Sequence, residues 1–179
     1  MGTAPTLDTP RLLLRPHQRS DFDDYAKMFA SERALHMGQL GRRQAWYSYA
    51  AEVGHWALLG FGPWALELKE NKALVGQVAI LWHAHFPEPE LGWFLFEGHE
   101  GKGLAFEAAT AARDWAFENE MMGSLVSYID PANHRSIALA ERLGATLDPK
   151  ANATDQGDLV YRHPIPSPPA RSPHTSTSW

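Results

Sequence analysis

The chain contains no cysteine, which excludes disulfides, zinc–thiolate sites, iron–sulfur clusters and a cysteine nucleophile. It also has no surplus of basic residues, because 16 Lys and Arg stand against 21 Asp and Glu, a formal net charge of −5. A general nucleic-acid binder needs a basic surface, so we expect no nucleic-acid partner. The longest apolar run, residues 56–66, contains two glycines and a proline and is too short to span a bilayer of about 30 Å.

No cationic and apolar leader opens the sequence, so we expect a cytoplasmic protein that does not bind membranes. At about 150 residues per domain, 179 residues favour one domain, and 44% hydrophobic residues can build its core. Residues 164–179 are too rich in proline and serine to pack. The sequence therefore predicts a folded domain over residues 1–163 and an extended or disordered tail over 164–179.

Hydrophobic periodicity predicts an α/β protein. Alternating patterns predict strands at residues 11–15, 64–69, 73–82, 90–96, 125–129 and 158–163, with a short strand near 145–147. Helical patterns predict a helix that begins at Ser20, with Asp23 in the capping-box position, and others at 42–59, after Gly103 and at 133–143. The three consecutive strands from residue 64 to residue 96 favour an antiparallel meander within a mixed sheet.

Residues 90–105 join a strand, a glycine-rich turn and a helix. Gly98, Gly101 and Gly103 allow a ligand to approach the backbone closely, and the free amides of a helix N-terminus favour an anion such as phosphate. A P-loop is excluded because Gly103 stands where its Ser or Thr is required. A dinucleotide-binding fingerprint fails because Phe106 stands where its third glycine is required.

This turn resembles the acyl-CoA pyrophosphate loop of the GNAT superfamily of N-acetyltransferases, Q/R-x-x-G-x-G/A. The sequence E-G-K-G-L-A at 100–105 fits both small positions and departs at the acidic Glu100. Three more segments resemble the RimJ/RimL-like branch in the family's order: T-P-R-L-L-L-R-P at 9–16, E-L-G-W at 90–93, and N-H-R-S-I-A-L-A-E-R-L-G at 133–144. The resemblance covers residues 7–163 and implies a mixed, mostly antiparallel sheet flanked by helices, with a splayed strand pair that forms the acyl-CoA groove.

The resemblance also implies acetyl-CoA as the cofactor and assigns residues to it. Phe94, Leu95 and Phe96 would line the groove, with a backbone amide near Leu95 or Phe96 polarising the thioester carbonyl. The last long helix would contact the cofactor through Asn133. The pyrophosphate would lie on Gly101, Lys102, Gly103, Leu104 and Ala105. The side chain of Lys102 either adds a positive charge that helps to bind the pyrophosphate or is only solvated.

Acetyl transfer needs a neutral amine and therefore a proton acceptor. Glu90 is the first choice as catalytic base, directly or through water, and the alternative is a solvated carboxylate at a strand end. His83 and His85 are the runners-up, and without a third ligand they predict no metal site. Many family members have a tyrosine where Ala140 stands, so the resemblance makes Ser136 the candidate proton donor to sulfur, as well as a cofactor contact. The alternative for Ser136 is a hydroxyl bonded to its own helix start.

The expected activity is acetyl-CoA-dependent acetylation of a primary amine, either a protein or peptide N-terminus or a small-molecule amine. Trp46, Tyr47 and Tyr49 fall in the region that resembles the family's variable acceptor wall, where at least one should face the cleft. One alternative is a non-catalytic acyl-CoA-binding or regulatory module of the same fold, and another is a nucleotide-dependent enzyme. The sequence leaves a homodimer open.

Overall fold

An eight-stranded sheet organises the computed structural model, which describes residues 2–165. Its spatial order is β1-β2-β3-β4-β5-β6-β8-β7, and β5–β6 is the parallel pair among antiparallel neighbours. The predicted mixed, mostly antiparallel sheet is therefore confirmed. The strands are β1 (Leu7–Asp8), β2 (Leu12–Arg15), β3 (Pro63–Leu68), β4 (Leu74–Leu81), β5 (Glu90–Leu95), β6 (Val126–Ile129), β7 (Thr146–Leu147) and β8 (Leu159–Arg162).

Four α-helices flank the sheet within the described residues: α1 (Phe22–Ala30), α2 (Arg42–Leu59), α3 (Leu104–Glu118) and α4 (His134–Arg142). They and the strands lie within two residues of the predicted bounds, apart from β1, a two-residue strand too short to carry a periodic pattern. None of the helices described is long and apolar enough to cross a membrane. The predicted tail lies outside the described residues from residue 166 onward.

The first helix begins at Phe22, two residues after the predicted Ser20, and the predicted capping box of Ser20 with Asp23 is wrong. Residues Arg19–Asp21 form a 3₁₀ turn, and Asp21 closes it by accepting the Gln18 N–H at 2.8 Å. The same carboxylate of Asp21 accepts a hydrogen bond from Arg15 Nη1 at 2.8 Å. A buried ion pair with β2 therefore fixes the entry to α1, and a pattern of local capping residues does not reveal such a partner.

The two faces of the sheet are covered by different helices. Small residues let α3 pack closely against one face, and four of them are fully buried: Ala108, Ala109, Ala112 and Ala116. The other face carries the first part of α2 and the predicted apolar stripe of α1, formed by Phe22, Tyr25, Ala26 and Phe29, which is buried as expected. Each fully buried large side chain contributes about 1.5–3 kcal/mol, so this packing holds both helices in place.

The parallel arrangement of β5 and β6 places the functional segments together. Because the two strands run in the same direction, their carboxyl ends meet at one edge of the sheet. The glycine-rich turn into α3 follows β5, and the turn into α4 follows β6. All the segments that resemble cofactor-binding motifs after residue 90 therefore converge on this edge.

Candidate functional site

β5 and β6 are joined at their first residues and then separate. In the described chain their register pairs Glu90 with Val126 and ends there. Ser127 Oγ donates a hydrogen bond to the Leu91 carbonyl at 2.6 Å, which ties the strands together one step later. Beyond this tie lies an opening that we call the fork, bounded by residues 92–95 and 128–130. It is the splayed strand pair that the sequence predicts.

Hydrogen-bond alternation determines which backbone groups of β5 face the fork. Phe96 N–H donates to the Val75 carbonyl at 2.8 Å, so Leu95 must direct its own N–H and carbonyl away from β4. The Leu91 carbonyl follows the same alternation, because it accepts from Ser127 on the side of β6. The predicted polarising amide is therefore available at Leu95. The alternative at Phe96 is wrong, because that N–H is already bonded within the sheet.

The three predicted groove residues contribute main chain more than side chains. Phe94 is 9% exposed and packs its ring on Tyr25 and Phe29, with centroids 5.9 and 5.5 Å apart. Phe96 packs against the same cluster, and the Leu95 side chain packs against the cluster under α3. These side chains anchor the strand on both faces, which leaves its unpaired backbone edge toward the fork.

The glycine-rich turn has the open backbone that the sequence predicts. Gly98, Gly101 and Gly103 have φ angles of +82°, +72° and +77°, a region that other residues adopt only with strain. A Cβ at Gly98 or Gly101 would have no neighbour within 4 Å, so the turn is not packed against another segment there. The first bond of α3 is Glu107 N–H to the Gly103 carbonyl at 3.1 Å, so the amides of Leu104 and Ala105 precede the helical ladder.

Two basic side chains hold this turn in place by hydrogen bonds to its carbonyl groups. Lys102 Nζ donates to the Gly98 carbonyl at 2.8 Å, so its ammonium group folds back across the turn. Arg11 donates from Nη1 to the Lys102 carbonyl and from Nε to Glu107 Oε2, both at 2.7 Å. The sequence analysis missed Arg11 and Glu107, because their pairing joins positions 96 residues apart.

Glu100, the acidic residue that departs from the family pattern, is paired with a basic side chain from another part of the chain. Arg33, in the 3₁₀ turn Glu32–Ala34, contacts the Glu100 carboxylate and also donates from Nη2 to the Leu95 carbonyl at 2.9 Å. The guanidinium therefore offsets the negative charge at the turn and touches the end of β5. Nothing in the local sequence around Glu100 indicates this partner.

Glu90 lies at the base of the fork. It is half-buried, and its carboxylate extends over Gly92, where a Cβ would be 3.8 Å from Glu90 Cδ. Burial raises the pKa of Glu90 to about 8, and the nearby charge of Glu52 adds to this, while the backbone amide of Tyr128 opposes it. Glu90 is the residue of β5 paired with Val126, so it stands where the two strands begin to separate. A group with this pKa can accept a proton near neutral pH.

The predicted runners-up, His83 and His85, belong to an aromatic cluster after β4. The His83 ring lies 4.8 Å from that of His55 and 5.8 Å from that of His85. Burial lowers the pKa of His83 to about 4, and the two neighbouring histidines add to this, so His83 is neutral at pH 7 and is a weak base. Among residues 2–165, no group of three or more His, Cys, Asp or Glu side chains is placed to hold a metal ion.

The start of α4 brings Asn133 and Ser136 to the β6 side of the fork. Asn133 caps the helix, because its Oδ1 accepts the Ser136 N–H at 3.2 Å. Ser136 is half-buried one turn into the helix. Ala140 is fully buried against Ile129 and Tyr161, so the position of the family's tyrosine is part of the core here.

The aromatic residues of the predicted acceptor wall divide into core and surface. Tyr49 is 6% exposed and donates its hydroxyl to the Gln18 carbonyl at 2.7 Å, so it is a core residue. Trp46 packs on Phe22 with ring centroids 4.9 Å apart and is 38% exposed, whereas Tyr47 is 64% exposed. Trp46 and Tyr47 remain the candidates for contact with an acceptor.

Comparisons with known proteins agree with this geometry. The chain resembles an acetyltransferase of known structure from Agrobacterium tumefaciens, at 44% identity and a TM-score of 0.87 over 91% of this chain and 96% of that one. A putative ribosomal-protein-serine acetyltransferase from Vibrio cholerae shares the fold, at 24% identity and a TM-score of 0.74 over 93% and 100% of the two chains.

A curated relative and a family model match shorter parts of the chain. The Bacillus subtilis protein YkkB is 33% identical over 87 residues, which are 48% of this chain, and the match spans about half of that relative, 51% of its length. Residues 11–146 match the family described as "Acetyltransferase (GNAT) domain", and this range contains the glycine-rich turn, the fork and the start of α4. The chain therefore belongs to the GNAT acetyltransferase family.

Proposed function

We propose that this protein is an N-acetyltransferase of the RimJ/RimL-like type that moves an acetyl group from acetyl-CoA to a primary amine. The observation that carries the proposal is the position of Glu90, a half-buried carboxylate at the base of the fork with a pKa of about 8. It shares this opening with the free backbone amide of Leu95. Glu90 and Leu95 begin and end β5, and the Glu90 carboxylate reaches over Gly92 toward the middle of the strand. A base and an oxyanion donor along one strand are the groups that acyl transfer to an amine requires.

The residues at the sheet edge fit acetyl-CoA. The glycine turn leaves open space at Gly98 and Gly101, and the free amides of Leu104 and Ala105 stand at the positive end of the α3 dipole, which suits a diphosphate. The unpaired edge of β5 offers hydrogen bonds to the amide groups of pantetheine. When bound, acetyl-CoA supplies a thioester, whose carbonyl is the group to be attacked.

The chain's own groups then perform two tasks. The Leu95 N–H donates toward the carbonyl oxygen and stabilises the negative charge that develops there, an effect worth about 3–4 kcal/mol for one well-placed donor. Glu90 takes up the proton that the neutral amine nitrogen loses as it attacks, directly or through one water. Glu52 lies near enough to raise the pKa of Glu90, so the local potential is negative and favours a cationic acceptor.

The acceptor we propose is a protein or peptide N-terminus or a small-molecule amine. The name of the Vibrio cholerae neighbour, a putative ribosomal-protein-serine acetyltransferase, supports a protein acceptor, and the negative potential at Glu90 supports any primary ammonium ion. Both acceptors present the same reacting group, with a reference pKa of about 7.7–8.0 for an α-amine. A panel of peptides and small amines separates them.

A non-catalytic acyl-CoA-binding module is the rival, and the buried Ala140 together with the acidic Glu100 gives it support. The test is release of free thiol from acetyl-CoA by the purified full chain with the amine panel, beside calorimetric titration with CoA. Thiol release that depends on both the acceptor and Glu90 supports the enzyme. Binding of CoA with no thiol release from any acceptor supports the module.

A further inference from the structure

The segment between α1 and α2 crosses the mouth of the fork. We call residues 31–40 the bridging loop. Its base is closed by the Leu40 N–H bonded to the Phe29 carbonyl at 2.9 Å and by Gln39 Nε2 bonded to the Ser31 carbonyl at 3.0 Å. Ala34, at its centre, is fully buried in the cluster under α1. The loop is therefore anchored and holds its side chains in defined places.

Two side chains of the bridging loop reach the two arms of the fork. Arg33 donates to the Leu95 carbonyl at the end of β5. His36, three residues later, bonds through Nδ1 to Asp130 Oδ2 at 2.7 Å, and Asp130 directly follows β6. The imidazole is thus held at the opening where the unpaired Leu95 amide lies on one side and the start of α4 on the other.

The bond to Asp130 also sets the chemistry of the ring. The ionised carboxylate of Asp130 can only accept a hydrogen bond, so Nδ1 carries the hydrogen that it donates to Asp130, and Nε2 is the nitrogen that can give or take a proton. Asp130 is itself fixed, because its Oδ1 accepts the Ala132 N–H at 2.8 Å. His36 is about 30% exposed on its side chain, so solvent can restore its proton after each cycle.

We propose that His36 is the proton donor to the sulfur of the departing coenzyme, held in place by Asp130. This inference rests on the proposed function. Ala140 cannot give a proton, and the hydroxyl of Ser136 is a poor acid, so a neighbouring imidazolium is the stronger donor at this edge of the sheet. The bridging loop lies between the four motif segments that resemble the family, so no motif indicates a role for His36.

The step balances in protons and electrons. The amine nitrogen forms the C–N bond and loses a proton to Glu90, and the C–S bond breaks with its electron pair on sulfur. The His36 imidazolium transfers the Nε2 proton to that sulfur, which gives the free thiol and a neutral imidazole. Solvent then takes the proton from Glu90 and returns one to His36, so no oxidant, reductant or further reactant is needed.

The test compares His36→Ala and His36→Asn in the full chain. The asparagine amide can replace Nδ1–H as the donor to Asp130 and so keep the bridging loop in place, but it cannot transfer a proton. We expect both variants to lose kcat by about 10²-fold, the lower end for a general acid, because a thiol with a reference pKa of about 8.5 is already a fair leaving group. The dissociation constant for CoA should stay within about threefold, and free imidazole should restore part of the kcat of His36→Ala.

Three outcomes overturn the assignment: unchanged kcat in His36→Ala, wild-type kcat in His36→Asn, or a loss of kcat in His36→Ala that free imidazole does not relieve. The first shows that His36 takes no part, and the other two show that it only holds the loop. Wild-type turnover in the same assay is the reference. If the wild type releases no thiol with any acceptor, the proposed function itself fails, which is a different result from activity that survives the loss of His36.

Discussion

Replacement of Glu90 by glutamine tests the catalytic base. The variants are compared in a His36→Asn background, where His36 takes no part in proton transfer. With a pKa of about 8, roughly one tenth of Glu90 is ionised at pH 7 and nine tenths at pH 9, so kcat/KM in this background should rise about tenfold over the range. The acceptor should be an amine with a pKa below about 6, so that its own ionisation does not contribute. Glu90→Gln should lower kcat/KM at pH 9 by about 10²-fold, remove the rise with pH and leave the affinity for acetyl-CoA unchanged.

The matched control for this experiment is Glu88→Gln. Glu88 is two residues away and is bonded to Arg162, which lowers its pKa to about 2, so it stays ionised across the assay range. This variant should keep the rise in kcat/KM between pH 7 and pH 9. A rise that persists unchanged in Glu90→Gln would refute the assignment of Glu90 as the base.

The same pair of variants gives opposite effects on stability. The folded pKa of Glu90 is raised, so ionisation opposes folding and the free energy of unfolding falls as pH rises from about 4.5 to 8. Glu90→Gln should therefore stabilise the protein at pH 9 relative to pH 5, by about 1–2 kcal/mol for a half-buried group. Glu88→Gln should destabilise it at neutral pH, because its lowered pKa reflects a favourable ion pair. Thermal unfolding at the two pH values measures both, and equal shifts for the two variants would contradict this account.

Further predictions concern the glycine-rich turn and the hydrogen bond of Ser127 that ties the strands at the base of the fork. Gly103→Val should raise the dissociation constant of CoA at least about tenfold, because valine is strained at a φ of +77°, and calorimetry on the folded variant checks this. Glu100→Gln should tighten CoA binding by about two- to fivefold, since it removes a negative charge beside the expected diphosphate, and weaker binding would oppose the loop assignment. His163 Nε2 lies 3.0 Å from Ser127 Oγ, the hydroxyl of that tie, and burial lowers the pKa of His163 to about 4. The free energy of unfolding should therefore fall as pH drops from about 6.5 to 4, and His163→Gln should flatten this dependence in acid denaturation.

The sequence predicts most of the fold because its elements are long and periodic. The alternating patterns from residue 64 to 96 and the stripe of small residues in α3 depend on local residues alone, and the structure confirms them. The sequence does not predict β1, because two residues are too few for a pattern. It misplaces the cap of α1, because Asp21, just before the helix, is bound by Arg15. Local propensity cannot report a partner that comes from another strand.

In the candidate site, too, the residues of local motifs could be predicted and those that act through distant contacts could not. Glu90 and the glycine turn are found by motif, because the chemistry needs those residue types at fixed spacing along one strand and one turn. No motif predicts the roles of Arg11, Arg33 and His36, because each acts through a contact with a residue at least 60 positions away. The choice between the amides of Leu95 and Phe96 needed the register of β4 against β5, which the sequence does not contain.

A crystal structure of the protein with acetyl-CoA tests the central claim most directly. The account predicts the diphosphate on the amides between Gly101 and Ala105, the acetyl carbonyl oxygen within hydrogen-bond distance of the Leu95 N–H, and the Glu90 carboxylate facing the acetyl carbon. A cofactor bound outside the fork, or one whose acetyl group lies away from both Leu95 and Glu90, would contradict it.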